Sequence, residues 1–137
     1  MPNFEVFQPC SPIETKKILE YVIKSKKPSY VRISRNEVNE IFNKNYKFIP
    51  GNAKEIIRDK KNFIISSGPM IHNCIEAIQI LKRKYNIKVG LVNINTFKPL
   101  KKFSLNKILK LAKNILVVED HTFYGGLFSI VNQKLKE

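Results

Sequence analysis

A chain of 137 residues is long enough for one domain with its own core, or for one domain with part of another. Its net charge of +14 attracts anions, but the excess is scattered lysine with arginine at Arg32, Arg35, Arg58 and Arg83 alone, and helix-turn-helix, zinc-finger and aromatic RNA-binding patterns are missing, so the charge reads as a solvated surface and not a nucleic-acid site. Cys10 and Cys74, far apart and without a C-x-x-C partner, argue against a disulfide framework or metal finger, and no leader at Met1–Phe4 and no apolar run of roughly 20 residues is present, so a cytoplasmic chain with no membrane partner is expected.

Phe4–Phe7 alternates as a short strand that Pro9 stops. Ser11-Pro12-Ile13-Glu14 then fits a capping box, with Ser11 as N-cap, Pro12 at the first helical position and Glu14 reaching back to the cap. The helix carries Ile18, Leu19, Val22 and Ile23 on its apolar side and ends at Lys24–Pro28, with cations at its negative pole. Ser29–Arg35 returns as a strand. Residues 1–35 are therefore one strand–helix–strand crossover, part of a domain. Residues 36–52 form a polar, basic linker that few long-range contacts should cross, with Phe42, Tyr46 and Phe48 anchoring it to the adjacent domain.

Residues 53–137 form the second domain. Ala53–Ile57 and Asn62–Ser66 are strands joined by a charged turn, and Gly68-Pro69 opens a helix bearing Ile71, Cys74, Ile75, Ile78 and Leu81. Lys82-Arg83-Lys84 close it. Lys88–Ile94 is the next strand, Ser104 caps a helix with Leu105, Ile108 and Leu109, and Leu127, Ile130, Val131 and Leu135 make the last helix amphipathic. Between these helices Asn114–Val118 is an apolar strand expected to be buried on both faces. The alternation predicts a three-layer α/β/α domain with a mainly parallel sheet. Glu119, Asp120 and His121 collect at the carboxyl end of that last strand, the edge where such sheets bind ligands or neighbours, before Gly125-Gly126 opens the final helix.

Val117-Val118-Glu119-Asp120-His121 followed by Tyr124-Gly125-Gly126-Leu127 resembles the V-x-E-x-H-x-x-x-G-G-L signature of the C-terminal domain of transketolase-like enzymes. Ser67-Gly68-Pro69-Met70 with Glu76-Ala77 resembles that domain's first helix start, and Asn93–Leu100 resembles its I-x-T-x-K-P-L-D loop. Upstream, Pro2-Asn3, Val6, Pro9, Glu14, Pro28, Tyr30, Arg32 and Arg35 resemble the end of the family's pyrimidine-binding domain, with Ser11 where the family has Asp. Two departures stand out: Lys101 occupies an Asp position, and Phe128 replaces a small residue after G-G-L.

The resemblance implies the C-terminal portion of an enzyme that transfers a ketol unit between phosphorylated sugars, using thiamine diphosphate and Mg2+ held by parts outside this chain. Its partners would be the missing N-terminal and pyrimidine domains, or a subunit carrying them, in a homodimer or heteromer. No catalytic residue and no metal ligand is expected here, and the chain alone should be inactive. Relatives acting on phosphorylated sugars imply that Arg35 holds the substrate phosphate, which suits a guanidinium fork; on an extended strand Arg32 would face the other way. Glu119, His121, Gly125 and Gly126 are read as a structural or interdomain loop, the glycines making a tight turn, and His72 as an exposed or capping residue. Related alternatives are a deoxyxylulose-phosphate-synthase-like or 2-oxoacid-dehydrogenase-β-like part; alternatives of another class are a non-catalytic interaction module and a basic anion-binding module.

Overall fold

A computed structural model describes residues 3–122 and 124–136, the side chains of residues 102, 107, 135 and 136 excepted. Two positions read from the sequence, Pro2 and the Leu135 side chain, lie outside what is described. The expected crossover forms: β1 (Glu5–Phe7), α1 (Pro12–Ser25) and β2 (Ser29–Val31), with β2 parallel to β1 and Phe7 opposite Val31. Ser11 caps α1, its hydroxyl accepting from the Glu14 amide at 3.3 Å. The other half of the box differs. The Glu14 carboxylate accepts the amide of Cys10 at 2.9 Å and is fully buried.

β2 stops at Val31, four residues sooner than the alternation suggests. The Arg32 amide still donates to Phe7, but the next amide on this side would come from Pro9, which has no N–H, while Gln8 bonds Asn95 on the opposite side at 2.9 Å, so the ladder has no further partner. Of the expected apolar side of α1, Ile18 is buried, whereas Leu19 and Ile23 are 39% and 79% exposed along a groove shared with Ile33 and Val38.

A strand too short to show alternation, β6 (Thr96–Lys98), lies antiparallel to β1 and gives the order β2-β1-β6. Residues of the second domain thus complete the sheet of the first unit. The linker is also tied down more firmly than its composition suggests. Tyr46 is buried and stacked on Phe42 at 4.1 Å, and Phe48 meets the edges of Phe7 and Tyr21 at 6.0 and 5.6 Å.

The second sheet has the order β3-β5-β4-β7, formed by β3 (Lys54–Ile57), β4 (Asn62–Ser66), β5 (Gly90–Asn93) and β7 (Asn114–Val118). β4 is parallel to β5 and β7; β3 is antiparallel to β5. Alternation along β4 distributes its side chains. Phe63 and Ile65 pack with Leu105 and Ile108 of α3 (Lys102–Leu111) and with Leu127 and Val131 of α4 (Leu127–Lys136). Ile64 packs on the other face with Ile71, Cys74 and Ile78 of α2 (Met70–Tyr85). This is the expected three-layer arrangement around a mainly parallel sheet.

Two local expectations change. β7 is an edge strand, and Leu116 is 58% exposed rather than buried, because α2 packs over β4 and β5. Ser104 lies inside α3, not at its cap: the helix begins at Lys102, and the Ser104 hydroxyl donates to the Lys101 carbonyl at 2.7 Å. Back-bonding of this kind competes with a capping role.

Candidate functional site

The carboxyl ends of β4 and β7 meet the end of β1 and the segment that follows β2. Two cavities open at this junction, of about 400 and about 480 Å³. They share Gln8, Arg32 and Asp120 as a common wall.

The loop after β7 is organised by Glu119. Its carboxylate accepts the backbone N–H of Leu127 and, at 3.0 Å, that of Phe128, so the positive end of α4 is already occupied by an anion from the chain itself. A Cβ on Gly126 would collide with this carboxylate and with the His121 ring, whereas Gly125 faces open space at φ +75°. Of the pair, the first position demands left-handed backbone and the second leaves room for the Glu119 carboxylate. Phe128, where the family has a small residue, turns partly outward at 39% exposure, so its bulk meets solvent.

Asp120 points back to the first unit. Its backbone carbonyl accepts from Arg32 Nη1 at 3.1 Å, and its carboxylate lies 3.7 Å from Nη2. His121 is exposed on the wall of the smaller cavity and makes no hydrogen bond to the described residues. His72 is more engaged than a surface residue: its Nε2 lies 2.8 Å from the Cys10 carbonyl, a geometry that calls for the Nε2–H tautomer.

Arg35 is exposed and lines the larger cavity together with Arg32. Strand alternation would separate the two, but β2 has ended before either, and the irregular segment brings both to one concavity. Across from them stand Pro69, Met70 and Asn73 of the first turn of α2.

Behind this junction is a polar cluster that the sequence did not disclose as one. The buried Glu14 carboxylate accepts from Tyr46 Oη at 2.5 Å, from Asn95 Nδ2 at 2.8 Å, and from Asn93 Nδ2 at 3.0 and 3.1 Å. It joins α1, the linker and the end of β5. Burial, reinforced by the Glu14 charge, pushes the Cys10 thiol and the Tyr46 phenol well above their ordinary ranges, so both stay protonated donors. The signal available in sequence was Asn93 and Asn95 at the end of an apolar strand, where an amide needs a partner.

The family described as "Transketolase, C-terminal domain" matches residues 51–137. Among curated relatives, one of the subunits of the apulose-4-phosphate transketolase of Actinobacillus succinogenes is 30% identical over 135 residues, covering 98% of this chain and 43% of that protein. Human transketolase is 33% identical over 136 residues, covering 96% of this chain and 22% of that protein. Among solved structures, "Split gene transketolase, inactive beta4 tetramer" superposes with a TM-score of 0.92 at 28% identity over 99% of this chain and 45% of that one. The chain thus spans less than half the length of these relatives.

Proposed function

Since the chain belongs to the transketolase C-terminal domain family, we propose that it serves as the C-terminal part of a transketolase-type transferase, moving a ketol unit between phosphorylated sugars in concert with domains or a subunit outside it. The observation that carries this reading is the extent of the likeness: the superposition on the split-gene structure includes residues of the first unit as well as the second domain. One relative is named as a subunit of its enzyme and another as a β4 tetramer, which supports partnership with another polypeptide and self-association of such chains. A cytoplasmic homodimer or heteromer of the complete enzyme is the assembly we infer. Among the described residues no helix is long and apolar enough to cross a membrane.

The transketolase family depends on thiamine diphosphate, which supplies carbanion-stabilising chemistry when bound. The residues here do not fit a metal-bound diphosphate. Among the described residues no group of His, Cys, Asp and Glu could hold a metal ion, and the free groups of the larger cavity are guanidinium and amide donors, suited to an anion. In this reading the cofactor and Mg2+ are held by the missing parts. This chain contributes assembly through the loop of Glu119, His121, Gly125 and Gly126, whose exposed imidazole supports an interdomain role, and substrate-phosphate binding through Arg35. Residues 1–35 act as the tail of the pyrimidine domain, 36–52 as the linker and 53–137 as the C-terminal domain.

The test mixes this chain with the missing N-terminal and pyrimidine regions and measures thiamine-diphosphate-dependent transfer between phosphorylated sugars. Activity only in the mixture, with a KM for the phosphorylated acceptor raised about tenfold or more by Arg35→Ala, is the expected result. No association and no transfer would reduce the family membership to shared ancestry.

A further inference from the structure

The junction described above uses only the carboxyl ends of the parallel strands. At the other end of the sheet, where β4, β5 and β7 begin, a third cavity of about 960 Å³ opens between the turn before β4, the segment from α2 to β5 and the last residue of α3. Arg58, Lys60, Lys61 and Lys88 line it, all exposed. The cations in the last turns of α2 and α3 are explained by the helix poles they neutralise, but these four stand on loops, where no helix calls for them. From Ala77 to Val118 the sequence carries ten cations and no Asp or Glu, so neighbouring acids do not offset them. Of the two acids on the rim, Asp59 turns one carboxylate oxygen to the Asn62 and Lys61 amides at 2.9 and 3.1 Å, bonds that hold its carboxyl below the ordinary range. Glu55 lies 4.0 Å from Arg58, whose side chain is 92% exposed, a loose surface pair. No salt bridge among the described residues engages Lys60, Lys61 or Lys88.

Between the cations the floor is apolar. Ile87 and Leu111 are 44% and 51% exposed there, and neither packs into either hydrophobic cluster of the domain. The backbone beneath them is fixed. The Lys61 carbonyl accepts the amides of Lys113 and Asn114 at 2.7 and 3.1 Å, Asn114 Nδ2 donates to Asn62 Oδ1 at 2.9 Å, and Asn62 Nδ2 reaches the Lys88 carbonyl at 3.4 Å. The turn carrying Lys60 and Lys61 is thereby tied to the segment carrying Lys88 and to the start of β7, so charge and apolar surface keep a set spacing.

The lining selects the occupant. None of the residues that line the cavity is buried, which suits several contacts along a length of chain and not the enclosure of a small anion. No aromatic ring is among them and a single arginine is, which leaves little for base stacking or for forked contacts to phosphate. Ile87 and Leu111 offer a seat for an apolar side chain, which a sugar-phosphate backbone does not bring. We propose that this cavity docks an acidic segment of a partner polypeptide, its carboxylates meeting Arg58, Lys60, Lys61 and Lys88 and an apolar residue between them seated on Ile87 and Leu111. The site lies at the far end of the sheet from the junction and does not depend on the transferase reading.

Fluorescence anisotropy of the full chain tests this with three labelled probes of equal negative charge: a peptide of Asp and Glu around a central Leu-Phe pair, the same peptide with Ser-Ser at its centre, and a single-stranded DNA oligonucleotide. The Leu-Phe peptide is expected to bind most tightly and to weaken as salt rises. Lys60→Glu with Lys61→Glu should raise its Kd about tenfold or more, whereas Lys44→Glu with Lys47→Glu, the same change of charge on the exposed linker, should alter it less than about twofold. Leu111→Ser, an exposed substitution, should raise the Kd about threefold or more for the Leu-Phe peptide and leave the Ser-Ser peptide unchanged. Equal effects of the two charge reversals would reduce the binding to net charge and overturn the inference, as would equal affinity for the two peptides. Tighter binding of the oligonucleotide would assign the surface to nucleic acid instead, and no binding of the Leu-Phe peptide at about 100 μM in low salt would overturn the proposal outright.

Discussion

The Glu119 carboxylate caps α4 from eight residues away, holding the amide of Leu127 across the loop that contains the glycine pair. A side chain from the end of a strand thereby sets where the next helix starts. Replacing Glu119 by Ala is expected to cost about 1–2 kcal/mol, the range of a lost helix cap, with Gln recovering part of it. Urea unfolding measures both; an unchanged midpoint for Glu119→Ala would contradict the capping role.

The two glycines of that loop should behave differently. Gly126→Ala pushes the Glu119 carboxylate off the α4 amides and is expected to cost about 1–2 kcal/mol, as much as losing the cap. Gly125→Ala meets open space and carries only the cost of left-handed backbone, about 1 kcal/mol, which Asn at that position should reduce. Thermal melts of the three variants give the order.

At the buried cluster, Glu14→Ala leaves Tyr46, Asn93, Asn95 and the Cys10 amide without their shared acceptor. A loss of about 3 kcal/mol or more is expected, since each stranded buried donor costs roughly 1–3 kcal/mol. Glu14→Gln preserves shape but turns a donor toward donors, and should fall between Ala and the parent. Equilibrium denaturation of the pair checks the order.

The same cluster makes stability fall on the alkaline side. The folded chain keeps the Cys10 and Tyr46 protons that the unfolded chain releases near their ordinary values of 9.0 and 10.0. Their contribution is complete below about pH 9 and is lost as pH rises above it, because deprotonation favours the unfolded state. Urea midpoints measured between about pH 8 and 10.5 should decline, and Cys10→Ala should flatten the part of the decline just above pH 9. A flat profile in the parent would count against the burial of both groups.

Edge and centre of the second sheet are separable by mutation. Leu116→Lys on β7 is expected to change stability by less than about 0.5 kcal/mol, as an exposed substitution does. Ile65→Ala on β4, at a fully buried position, should cost about 2–5 kcal/mol. Comparable losses for the two would mean that β7 is covered in solution.

Much of this architecture was legible because it rests on local chemistry. Ser11-Pro12 starts α1 by capping, the i, i+3, i+4 spacing of Ile71, Cys74, Ile75 and Ile78 declares α2, and the unbroken runs of β4 and β7 announce strands. What sequence could not disclose depended on pairing at a distance. Leu116 looks as apolar as Ile65, and only the strand order leaves one outside. Arg32 and Arg35 obey alternation only while a ladder persists, and that ladder ends at Pro9, which has no N–H to offer. Glu14 satisfied a local capping rule well enough to conceal its long-range partners.

The strand Thr96–Lys98 has a bearing on how such proteins can be cut and recombined. A chimera joined at residue 52, where the covalent thread looks simplest, would transplant β6 with the second domain and ask a foreign β1 to accept its register. The interchangeable unit is therefore larger than the domain boundary implies. Grafts that carry Glu5–Phe7 and Thr96–Lys98 together keep the hydrogen-bonded seam intact, and those that separate them should fail in assembly before they fail in chemistry.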